Sequence, residues 1–463
     1  MKSKITSRKI PSPARKKLRK LLGPRFLERK DDLLTYAFDA SGLLYLPEAV
    51  AIPENTQEIA EILALATEEN FPVVPRGAGT ATTGAPLAHE GGLVLSLLRL
   101  NRILEINTED LVAVVEPGVF NGAFKKEVEA RGLFYPPDPA SYEFSTLGGN
   151  IATCAGGPKG LKYGVTKDYV LGLEVVLAGG EVIFCGRRTM KGVVGYDLVH
   201  LFTGSEGTLG IITKIILKLL PRPKASATLA AYFRSVEEAA EGFLELINEG
   251  LLPAAAELLD EVTLAAVSGL LEQELPPEAR ALVLFEFDGG PGQVKEDLSL
   301  AEGALSKLAL KVESAREGAA KERLWQARRQ ISPALKKLYP AKVADDVVLP
   351  RRLVPRFLRE AKELAEARKI TVACFGHLGD GNIHVNLLFD PKETAREEVE
   401  SLRREILEKV LSASGTISGE HGIGLTKKGY LPQELAPPLL ELQKALKKVF
   451  DPQGILNPGK IFP

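Results

Sequence analysis

The segment between residues 371 and 389, TVACFGHLGDGNIHVNLLF, constrains the fold of this chain more than any other. Two runs of β-type residues flank Gly379–Asn382, which predicts an antiparallel hairpin with a four-residue loop. In that register His377 faces His384, and opposed residues have Cβ atoms about 4.5–5.5 Å apart. Asn386 lies on the same face as His384, because side chains alternate along a strand. The chain therefore contains antiparallel sheet that carries two imidazoles on one face.

Histidine is scarce in this chain, and three of its five histidines lie in that hairpin or in the later segment SGEHGIG. Two imidazoles at this separation can share one metal ion, and histidine is the commonest metal ligand. Glu420 and His421 of the later segment would add a third ligand and a base. The alternative is a tight hairpin with two polar edge histidines. The clustering at two glycine-rich loops favours the metal site.

Length and composition indicate an ordinary globular protein with two or three domains. The chain has 463 residues, of which 45% are apolar and 26% charged. The net charge of −1 implies no general affinity for nucleic acid or membrane. The three cysteines are far apart and form no CxxC pair, which argues against a disulfide framework and a built-in iron–sulfur cluster. We therefore expect a reducing, cytoplasmic location.

The charge is concentrated at the N-terminus, where residues 1–30 carry twelve Lys or Arg and one acid, Glu28. This stretch has no signal-peptide apolar core, and no apolar run elsewhere reaches membrane-spanning length. One interpretation is a solvated, partly helical extension. The other is a docking arm for an acidic partner subunit or a membrane surface.

Three glycine-rich loops interrupt the alternating short helices and strands between residues 47 and 222. Arg76–Thr80 follows a predicted strand, and Thr146–Ala152 and Gly204–Thr213 repeat its mixture of glycine and hydroxyl residues. The first loop is not a Rossmann fingerprint, because Thr82 stands where the third glycine belongs and Pro86 breaks any following helix. Glycines allow several backbone N–H groups to approach one anion. Three such loops together favour one extended ligand over three ordinary strand connections.

A proline-rich boundary at residues 221–223 precedes a second region with a strand and helix rhythm. Ala225–Phe233 reads as a strand, Val236–Gly250 as a helix, and Glu257–Gly269 as another helix. This order predicts an α+β domain whose helices cover one face of an antiparallel sheet.

Eight motifs occur along the chain in a fixed order: PRGAGT (75–80), PPDPAS (136–141), TLGGNIATCAGG (146–157), LKYGVTKDYVLGLEVVLAGG (161–180), GSEGTLGIIT (204–213), GHLGDGNIH (376–384), SGEHGIG (418–424) and NPGK (457–460). With these motifs the sequence resembles the FAD-linked oxidases of the vanillyl-alcohol-oxidase type, the superfamily with a PCMH-type FAD domain. Within it, the sequence is similar to the branch of D-lactate, glycolate and D-2-hydroxyglutarate dehydrogenases, which includes the glycolate oxidase catalytic subunit. The resemblance extends over residues 35–463.

The resemblance implies an α+β fold with a two-lobed FAD domain and a cap domain for the substrate, built on an antiparallel sheet. The expected division is a basic arm at 1–34, an FAD domain at 35–222, a cap at 223–415, and a segment at 416–463 that returns to the flavin. The residues implied to bind FAD are Arg76, Gly77, Ala78, Gly79, Thr80, Pro137, Asp138, Ser141, Thr146, Gly148, Gly149, Asn150, Gly156, Gly157, Tyr163, Gly164, Glu206, Gly207, Gly210, Ile212 and Asn457.

Within that set, the resemblance implies that Arg76–Thr80 bind the pyrophosphate of FAD and that Glu206 lies along its ribose and adenine end. The loop at 75–84 has no histidine, where some relatives tether the flavin covalently, so we expect dissociable FAD.

The resemblance also implies the residues that act on the substrate. The expected metal ligands are His377, His384 and Glu420, and the metal is Zn, Mn or Fe. Arg328 is expected to grip a substrate carboxylate through its planar fork, the alternative being a solvated helix charge. His421 is the expected general base, and Asn386 completes the catalytic set. Ala344 stands where some members have a lysine, and Lys342 is the candidate to substitute for it, so the resemblance gives less support to a second carboxylate on the substrate.

The implied activity is oxidation of a D-2-hydroxy acid, D-lactate or glycolate, by metal-assisted hydride transfer to flavin N5. The electrons would pass to an external acceptor, which is an electron-transferring flavoprotein, an iron–sulfur subunit or a quinone. Alternatives with FAD are D-2-hydroxyglutarate, a phenol or an ether-lipid precursor as substrate, or a subunit that only relays electrons. An alternative without FAD is a zinc hydrolase. Attachment to a membrane through the partner, and a homodimer, are left open.

Overall fold

A computed structural model describes residues 8–271, 275–315 and 318–463 of the chain. The described chain forms two compact units. The first unit contains the residues up to Ala155, then Val165–Arg222 and Glu420–Pro463. The second contains Gly156–Gly164 and Pro223–Gly419.

The chain forms α-helices in both units, joined in places by short 3-10 turns. In chain order they are α1 Ser12–Leu22, α2 Lys30–Leu34, α3 Thr56–Glu68, α4 Asn121–Glu129, α5 Leu147–Thr153, α6 Gly160–Tyr163, α7 Leu198–Phe202, α8 Val236–Asn248, α9 Glu261–Val267, α10 Pro291–Leu305, α11 Ala319–Arg329, α12 Ile331–Leu338, α13 Val354–Glu366, α14 Arg396–Ser412, α15 Leu431–Glu434 and α16 Pro437–Phe450. No helix in the described ranges combines the length and the apolar character needed to cross a membrane.

In the part of the chain that the structure describes, the strands form four sheets. In chain order they are β1 Phe26–Leu27, β2 Ala49–Ala51, β3 Val73–Arg76, β4 Leu93–Ser96, β5 Ile103–Asn107, β6 Val112–Val115, β7 Leu133–Phe134, β8 Val170–Val176, β9 Val182–Gly186, β10 Ile211–Lys218, β11 Leu220–Pro221, β12 Ala225–Phe233, β13 Ala255–Leu259, β14 Ala281–Gly289, β15 Lys311–Ala315, β16 Ala341–Val348, β17 Thr371–His377 and β18 Asn382–Phe389.

The first unit has two principal sheets, as expected for a two-lobed domain. One contains β1, β2, β4 and β3 in that order, with β2, β4 and β3 parallel. The other is antiparallel, in the order β5, β6, β10, β8, β9. A further short pair joins β11 to β7. The helix α3 is capped by Asn55, whose side chain accepts a hydrogen bond from the backbone N–H of Glu58.

The basic N-terminal stretch is part of the first unit wherever the structure describes it. Ile10, Ala14, Leu18 and Leu22 are buried in the core that includes α3 and β4. The arginines of α1 face acids of the same unit. Arg15, for example, forms ion pairs with Glu28 and Glu48 at 2.9 and 2.8 Å. The expectation of a solvated extension was therefore wrong for these residues, because an apolar stripe at helical spacing outweighs the dense positive charge. Residues 1–7 lie outside the described ranges.

The second unit is built on one antiparallel sheet of seven strands, in the order β15, β12, β14, β13, β17, β18, β16. The α+β class with an antiparallel cap sheet is confirmed. Helices lie on both faces of the sheet rather than on one: Gly242 of α8 lies against the Phe233 ring, whereas α9, α11 and α12 join a core on the opposite face.

The predicted hairpin is present as β17 and β18, but the predicted register was wrong. The loop is Leu378–Gly381, so His377 pairs with Asn382 and His384 pairs with Phe375. Gly381 adopts a φ of 81°, which closes the turn one residue earlier than expected. Asp380 also accepts a hydrogen bond from the backbone N–H of Asn382, and the strand begins there. The two histidines still share a face, as diagonal neighbours.

The helix predicted at 257–269 was wrong in its first part. Ala255–Leu259 form a strand in the middle of the sheet, and α9 begins only after Asp260, whose side chain caps it by accepting from the N–H of Thr263. A strand buried on both faces has no alternation of apolar and polar residues, so periodicity does not separate it from a buried helix.

Candidate functional site

The glycine-rich loops of the first unit surround a cavity of about 230 Å³. Most residues that the sequence assigned to FAD line it, and both residues of the Glu420-His421 pair do so as well. The predicted residues in the lining are Arg76, Gly77, Ala78, Gly79, Thr80, Ser141, Thr146, Gly148, Gly149, Asn150, Glu206, Gly207, Gly210, Ile212, Glu420, His421 and Asn457.

The first two loops are packed so closely that their glycines cannot be replaced without displacement. A Cβ on Gly77 would lie 2.3 Å from Oγ1 of Thr146, and a Cβ on Gly148 would lie 2.5 Å from Cβ of Pro117. Thr146 is held in place because its hydroxyl accepts the N–H of Gly149 at the start of α5. The backbone of both loops therefore forms the wall of the cavity directly, which is the property that an extended phosphate ligand requires.

Arg76 brings a positive charge to this wall. Its Nη2 donates to the carbonyl of Phe38 at 2.8 Å, and its guanidinium lies over the Tyr36 ring. Burial lowers the pKa of Arg76, against the opposing charge of Asp39. Within the described part of the chain, Nη1 of Arg76 is buried and has no hydrogen-bond partner.

Asn150 supplies a second polar group for a ligand. The residue lines the cavity, is only 4% exposed, and its Nδ2 has no hydrogen-bond partner among the described residues. A buried amide without a partner costs about 1–3 kcal/mol, so such groups commonly meet a ligand or water. Together with the glycine wall, Asn150 and Arg76 fit a dinucleotide cofactor such as FAD.

Glu206 fastens the C-terminal segment to this cavity. One of its carboxylate oxygens accepts the N–H of Ile423 at 2.7 Å, and the other accepts the N–H of Gly424 at 2.9 Å. Burial raises the pKa of Glu206 to about 7, although these two hydrogen bonds act to lower it. Its backbone carbonyl accepts Nδ2 of Asn457, which also donates to the carbonyl of Ala85. The resemblance implies that Glu206 lies along the ribose and adenine end of FAD, and this stays a prediction. The structure adds that its carboxylate holds the SGEHGIG segment.

Some predicted FAD residues do not line the cavity. Pro137 and Asp138 precede the lining residues Pro139, Ala140 and Ser141. Gly156, Gly157, Tyr163 and Gly164 belong to the second unit, where the Tyr163 hydroxyl donates to the Asp288 carboxylate at 2.9 Å. Their predicted role toward FAD stays a prediction.

Sequence reasoning also missed part of the cavity wall. Pro117 and Ser205 line the cavity without having been assigned to it. Ser205 stands inside the quoted GSEGT motif, so the motif contained the signal. Pro117 follows a strand and no motif marks it.

In the second unit, the register of the sheet places a row of polar residues on one face. Glu257 pairs with His377 across β13 and β17, and Asp346 pairs with His384 across β16 and β18. Because paired residues share a face and alternate residues return to it, Asn386 lies there too. We call this row the polar face of the sheet.

The two histidines of the polar face are close enough to bind one ion. Their ring centroids are 5.3 Å apart with an interplanar angle of 82°, and His377 is 4% exposed. The Asn386 amide donates to the carbonyls of Ala373 and His384, at 3.1 and 3.3 Å, so it also fixes the strand that carries His384. Two neighbouring imidazoles suit a divalent transition metal.

Arg328 is the next predicted residue on this face, and it is not a solvated helix charge. Its side chain is 9% exposed, its guanidinium lies 4.7 Å from the centroid of the Phe375 ring, and its Nε donates to Oε2 of Glu257 at 2.6 Å. Nδ1 of His377 lies 2.5 Å from Oε1 of the same carboxylate. Burial acts to raise the pKa of Glu257, but His377 and Arg328 outweigh it and lower the pKa to about 2.

Sequence reasoning missed Glu257, whose carboxylate contacts two of the predicted site residues on this face. It is 0% exposed, in the run AAAELLD, and was assigned to a helix. A single carboxylate inside an apolar run is itself a signal, since buried acids are almost always paired.

The comparisons with known proteins agree with this geometry. Residues 47–186 match the family model of the FAD binding domain, and residues 222–461 match that of the FAD linked oxidases, C-terminal domain. The glycolate oxidase subunit GlcD of Bacillus subtilis is 42% identical over 457 residues, covering 98% of this chain and 97% of that protein. A D-lactate dehydrogenase of Anaerostipes hadrus is 35% identical, covering 90% of this chain and 89% of that protein.

Solved structures with the same fold include p-cresol methylhydroxylase with substrate bound. Its TM-score is 0.80 at 18% identity, with 97% of this chain and 96% of that chain covered. An alkyldihydroxyacetonephosphate synthase has a TM-score of 0.77 at 20% identity, with coverage of 97% and 86%. At these identities the likeness concerns the fold alone. Together with the family models and the relatives, it establishes that the chain belongs to the FAD-linked oxidases and is an FAD-dependent oxidoreductase.

Proposed function

We propose that this protein oxidises a D-2-hydroxy acid, D-lactate or glycolate, to the 2-oxo acid. The observation that carries the proposal is the polar face of the second unit, where Glu257 holds an arginine and an imidazole of a histidine pair at 2.5–2.6 Å. The names of two relatives support the substrate class, since one is a glycolate oxidase subunit and the other a D-lactate dehydrogenase.

The reaction removes two electrons and two protons from the acid. The Cα–H bond breaks with its electron pair, the hydroxyl loses a proton, and a carbonyl forms between carbon and oxygen. FAD, when bound, supplies the oxidant and receives the hydride. The protein has to hold the carboxylate, polarise the hydroxyl and accept its proton.

We assign Arg328 to bind the carboxylate of the substrate. Its Nε is already engaged by Glu257, so the two terminal nitrogens remain for a bidentate grip. Its stacking on the Phe375 ring restricts the plane of the guanidinium. A carboxylate held in a fixed plane also fixes which face of Cα is presented for reaction.

The pair His377 and His384 is assigned to a divalent metal, Zn, Mn or Fe. The metal, when bound, would lower the pKa of the substrate hydroxyl by Lewis acidity. The motif assignment of Glu420 as a third ligand stays a prediction.

We assign His421 as the general base that accepts the proton of the substrate hydroxyl. It lines the cavity of the first unit and stands in the segment that Glu206 fastens through Ile423 and Gly424. A neutral imidazole accepts a proton near neutral pH, which suits a general base.

The electrons leave to an external acceptor, which is an electron-transferring flavoprotein, an iron–sulfur subunit or a quinone. Cys154, Cys185 and Cys374 are free and lie far apart in the sequence, so they do not form the group of thiolates that a cluster needs. The Bacillus relative is named a subunit of glycolate oxidase, which favours a partner protein.

The test is anaerobic reduction of the bound flavin, read from its visible absorbance. We expect D-lactate or glycolate to bleach the oxidised band, and L-lactate to bleach it much more slowly. D-2-hydroxyglutarate, run in parallel, tests the alternative substrate. Repeating the reaction after treatment with a chelator, and after Zn or Mn is returned, tests the metal. A flavin that stays oxidised with every acid and metal, or a protein that takes up no FAD, would contradict the proposal.

A further inference from the structure

Glu257 stands at the centre of the second unit, in the strand β13 between β14 and β17. It is fully buried, and its neighbours along the strand are apolar. An ionised carboxylate in such a place costs several kcal/mol unless each oxygen has a charged or hydrogen-bonding partner. The partners of Glu257 therefore indicate why a carboxylate occupies this position.

Each oxygen of Glu257 has a different partner. Oε1 lies 2.5 Å from Nδ1 of His377, which is the directly opposite residue on β17. Oε2 accepts Nε of Arg328, from the helix α11, at 2.6 Å. One carboxylate thus joins a histidine of the sheet to an arginine of a helix.

A carboxylate accepts hydrogen bonds, and this sets the state of both neighbours. Nδ1 of His377 has to carry the ring proton, so the lone pair of the neutral ring is on Nε2, the nitrogen that would bind a metal. Nε–H of Arg328 is directed to Glu257, so the terminal edge of the guanidinium is oriented for another anion.

We propose that Glu257 is a positioning residue that fixes the Nδ1-protonated tautomer of His377 and the orientation of Arg328 at the same time. The inference rests on the proposed function, in which His377 binds a metal and Arg328 a carboxylate. Through Glu257, metal affinity and carboxylate affinity depend on a single side chain.

The neighbouring acid on the same face has no such role. Glu286 of β14 is the diagonal neighbour of Glu257, and it is also buried. Its Oε1 lies 3.6 Å from Nζ of Lys159 and 3.8 Å from Nζ of Lys321, and neither lysine is a predicted site residue. Glu286 therefore provides a matched control for the charge and the burial of Glu257.

The test uses Glu257→Gln, which keeps the shape of the side chain and removes one acceptor. Arg328 can only donate, so the oxygen of the new amide stays with Nε of Arg328. The amide NH2 then faces Nδ1 of His377, which has to become the acceptor. We expect the ring proton of His377 to move to Nε2, the reverse of the parent tautomer.

The tautomer is read from the ring 15N shifts of the metal-free protein after selective 15N-histidine labelling, at a pH at which those shifts show a neutral ring. Only five histidines contribute signals, and His377→Asn identifies the one in question. We expect the Nδ1–H form in the parent and in Glu286→Gln, and the Nε2–H form in Glu257→Gln. An Nε2–H ring in the parent, or an unchanged tautomer in Glu257→Gln, overturns the proposal.

A second measurement does not depend on the flavin. Titration of Zn into the chelator-treated protein, in competition with a chromophoric chelator, should give about 10–100-fold weaker binding for Glu257→Gln than for Glu286→Gln. Equal affinities in the two variants contradict the positioning role. If Glu257→Gln does not fold, Glu257→Asp replaces it, because the shorter side chain keeps the charge but does not reach both partners. A parent that binds no metal yet has the Nδ1–H ring would contradict the proposed metal site and leave the role of Glu257 standing.

Discussion

The cavity of the first unit and the polar face of the second unit are built from different chemical groups. The cavity of the first unit is lined largely by backbone, glycine and hydroxyl groups, and a Cβ added at Gly77 would collide with Thr146. The polar face of the second unit is formed by charged side chains on rigid strands, with Glu257 between Arg328 and His377. The cavity is therefore sensitive to added volume, and the polar face to altered charge and hydrogen-bonding pattern.

Two buried glutamates illustrate the contrast. Burial raises the pKa of Glu206 to about 7, although the backbone N–H groups of Ile423 and Gly424 that donate to its carboxylate act to lower it. Burial also opposes ionisation of Glu257, but an arginine and a histidine beside it lower its pKa to about 2. The same residue type thus serves as a backbone anchor in one region and as a charged bridge in the other.

A large effect is expected from added volume in the cavity wall, through Gly207→Ala. Gly207 has a φ of 69°, and a Cβ there would lie 2.3 Å from Cγ of Pro75. Left-handed strain of about 1–2 kcal/mol and overpacking of about 1–3 kcal/mol should weaken FAD binding by about two orders of magnitude. The FAD-to-protein ratio after purification, and the Kd from flavin fluorescence, measure this.

The matched control for that variant is Gly429→Ala, in the same unit, where a Cβ would meet nothing within 4 Å. It should keep the FAD content of the parent. Equal FAD affinity in the two variants would contradict the view that the cavity wall is made by closely packed backbone.

An effect of at least the same size is expected from His421→Ala. Removal of a general base slows its step by about 10²–10⁴-fold, so anaerobic flavin reduction by the substrate should slow by that factor. The FAD content should stay near that of the parent, because the cavity is held mainly by backbone. His200→Ala is the control, since His200 is half-exposed and paired with Asp197. Normal flavin reduction in His421→Ala would remove His421 from the mechanism.

Much of the first region could be predicted from the sequence, because its function is carried by local motifs. The loops at 76–80, 146–150 and 204–213 reach one cavity, as expected for a single extended ligand. Glycine and hydroxyl residues at fixed spacing report backbone conformation directly, so each motif predicts its own contacts. Pro117 was missed because a wall made by a residue outside the motifs depends on tertiary packing.

The second region was predicted less completely, because its function depends on pairing between distant strands. The hairpin was foreseen but its register was not, since a φ of 81° at Gly381 moved the turn by one residue. Glu257 and Arg328 are 71 residues apart, and no local pattern connects them. Side chains that act through a partner become visible only when the sheet is assembled.

A smaller effect, on stability rather than on catalysis, is expected at Glu206. Its pKa is raised from 4.5 to about 7, so the native state retains a proton that the unfolded state has lost. This contribution to stability is complete below pH 4.5 and is lost as the pH rises to 7. At about 1.36 kcal/mol for each pH unit, the loss amounts to about 3 kcal/mol.

Glu206→Gln removes that contribution to the pH dependence. The free energy of unfolding of the FAD-free variant, relative to the parent, should therefore increase as the pH rises from 4.5 to 7. Denaturant titrations at several pH values measure it, with the exposed Glu109→Gln as the control. A difference that stays constant over this range would show that Glu206 does not titrate there.

The smallest effect is expected from Arg328→Lys, which keeps the positive charge on the polar face but removes the planar guanidinium group. A lysine cannot hold Glu257 and a bidentate carboxylate in the same geometry. The loss of one charge-assisted hydrogen bond, about 1.5–3 kcal/mol, should lower kcat/KM for the hydroxy acid by about 10–100-fold, mainly through KM. Arg329→Lys is the matched control, since the neighbouring Arg329 is 39% exposed and pairs with Glu322. Both variants should retain FAD, because the cavity belongs to the first unit. Equal kinetics in Arg328→Lys and Arg329→Lys would show that a positive charge alone is sufficient at the polar face. The polar face would then not depend on hydrogen-bond geometry, and the contrast with a cavity that is sensitive to added volume would be wrong.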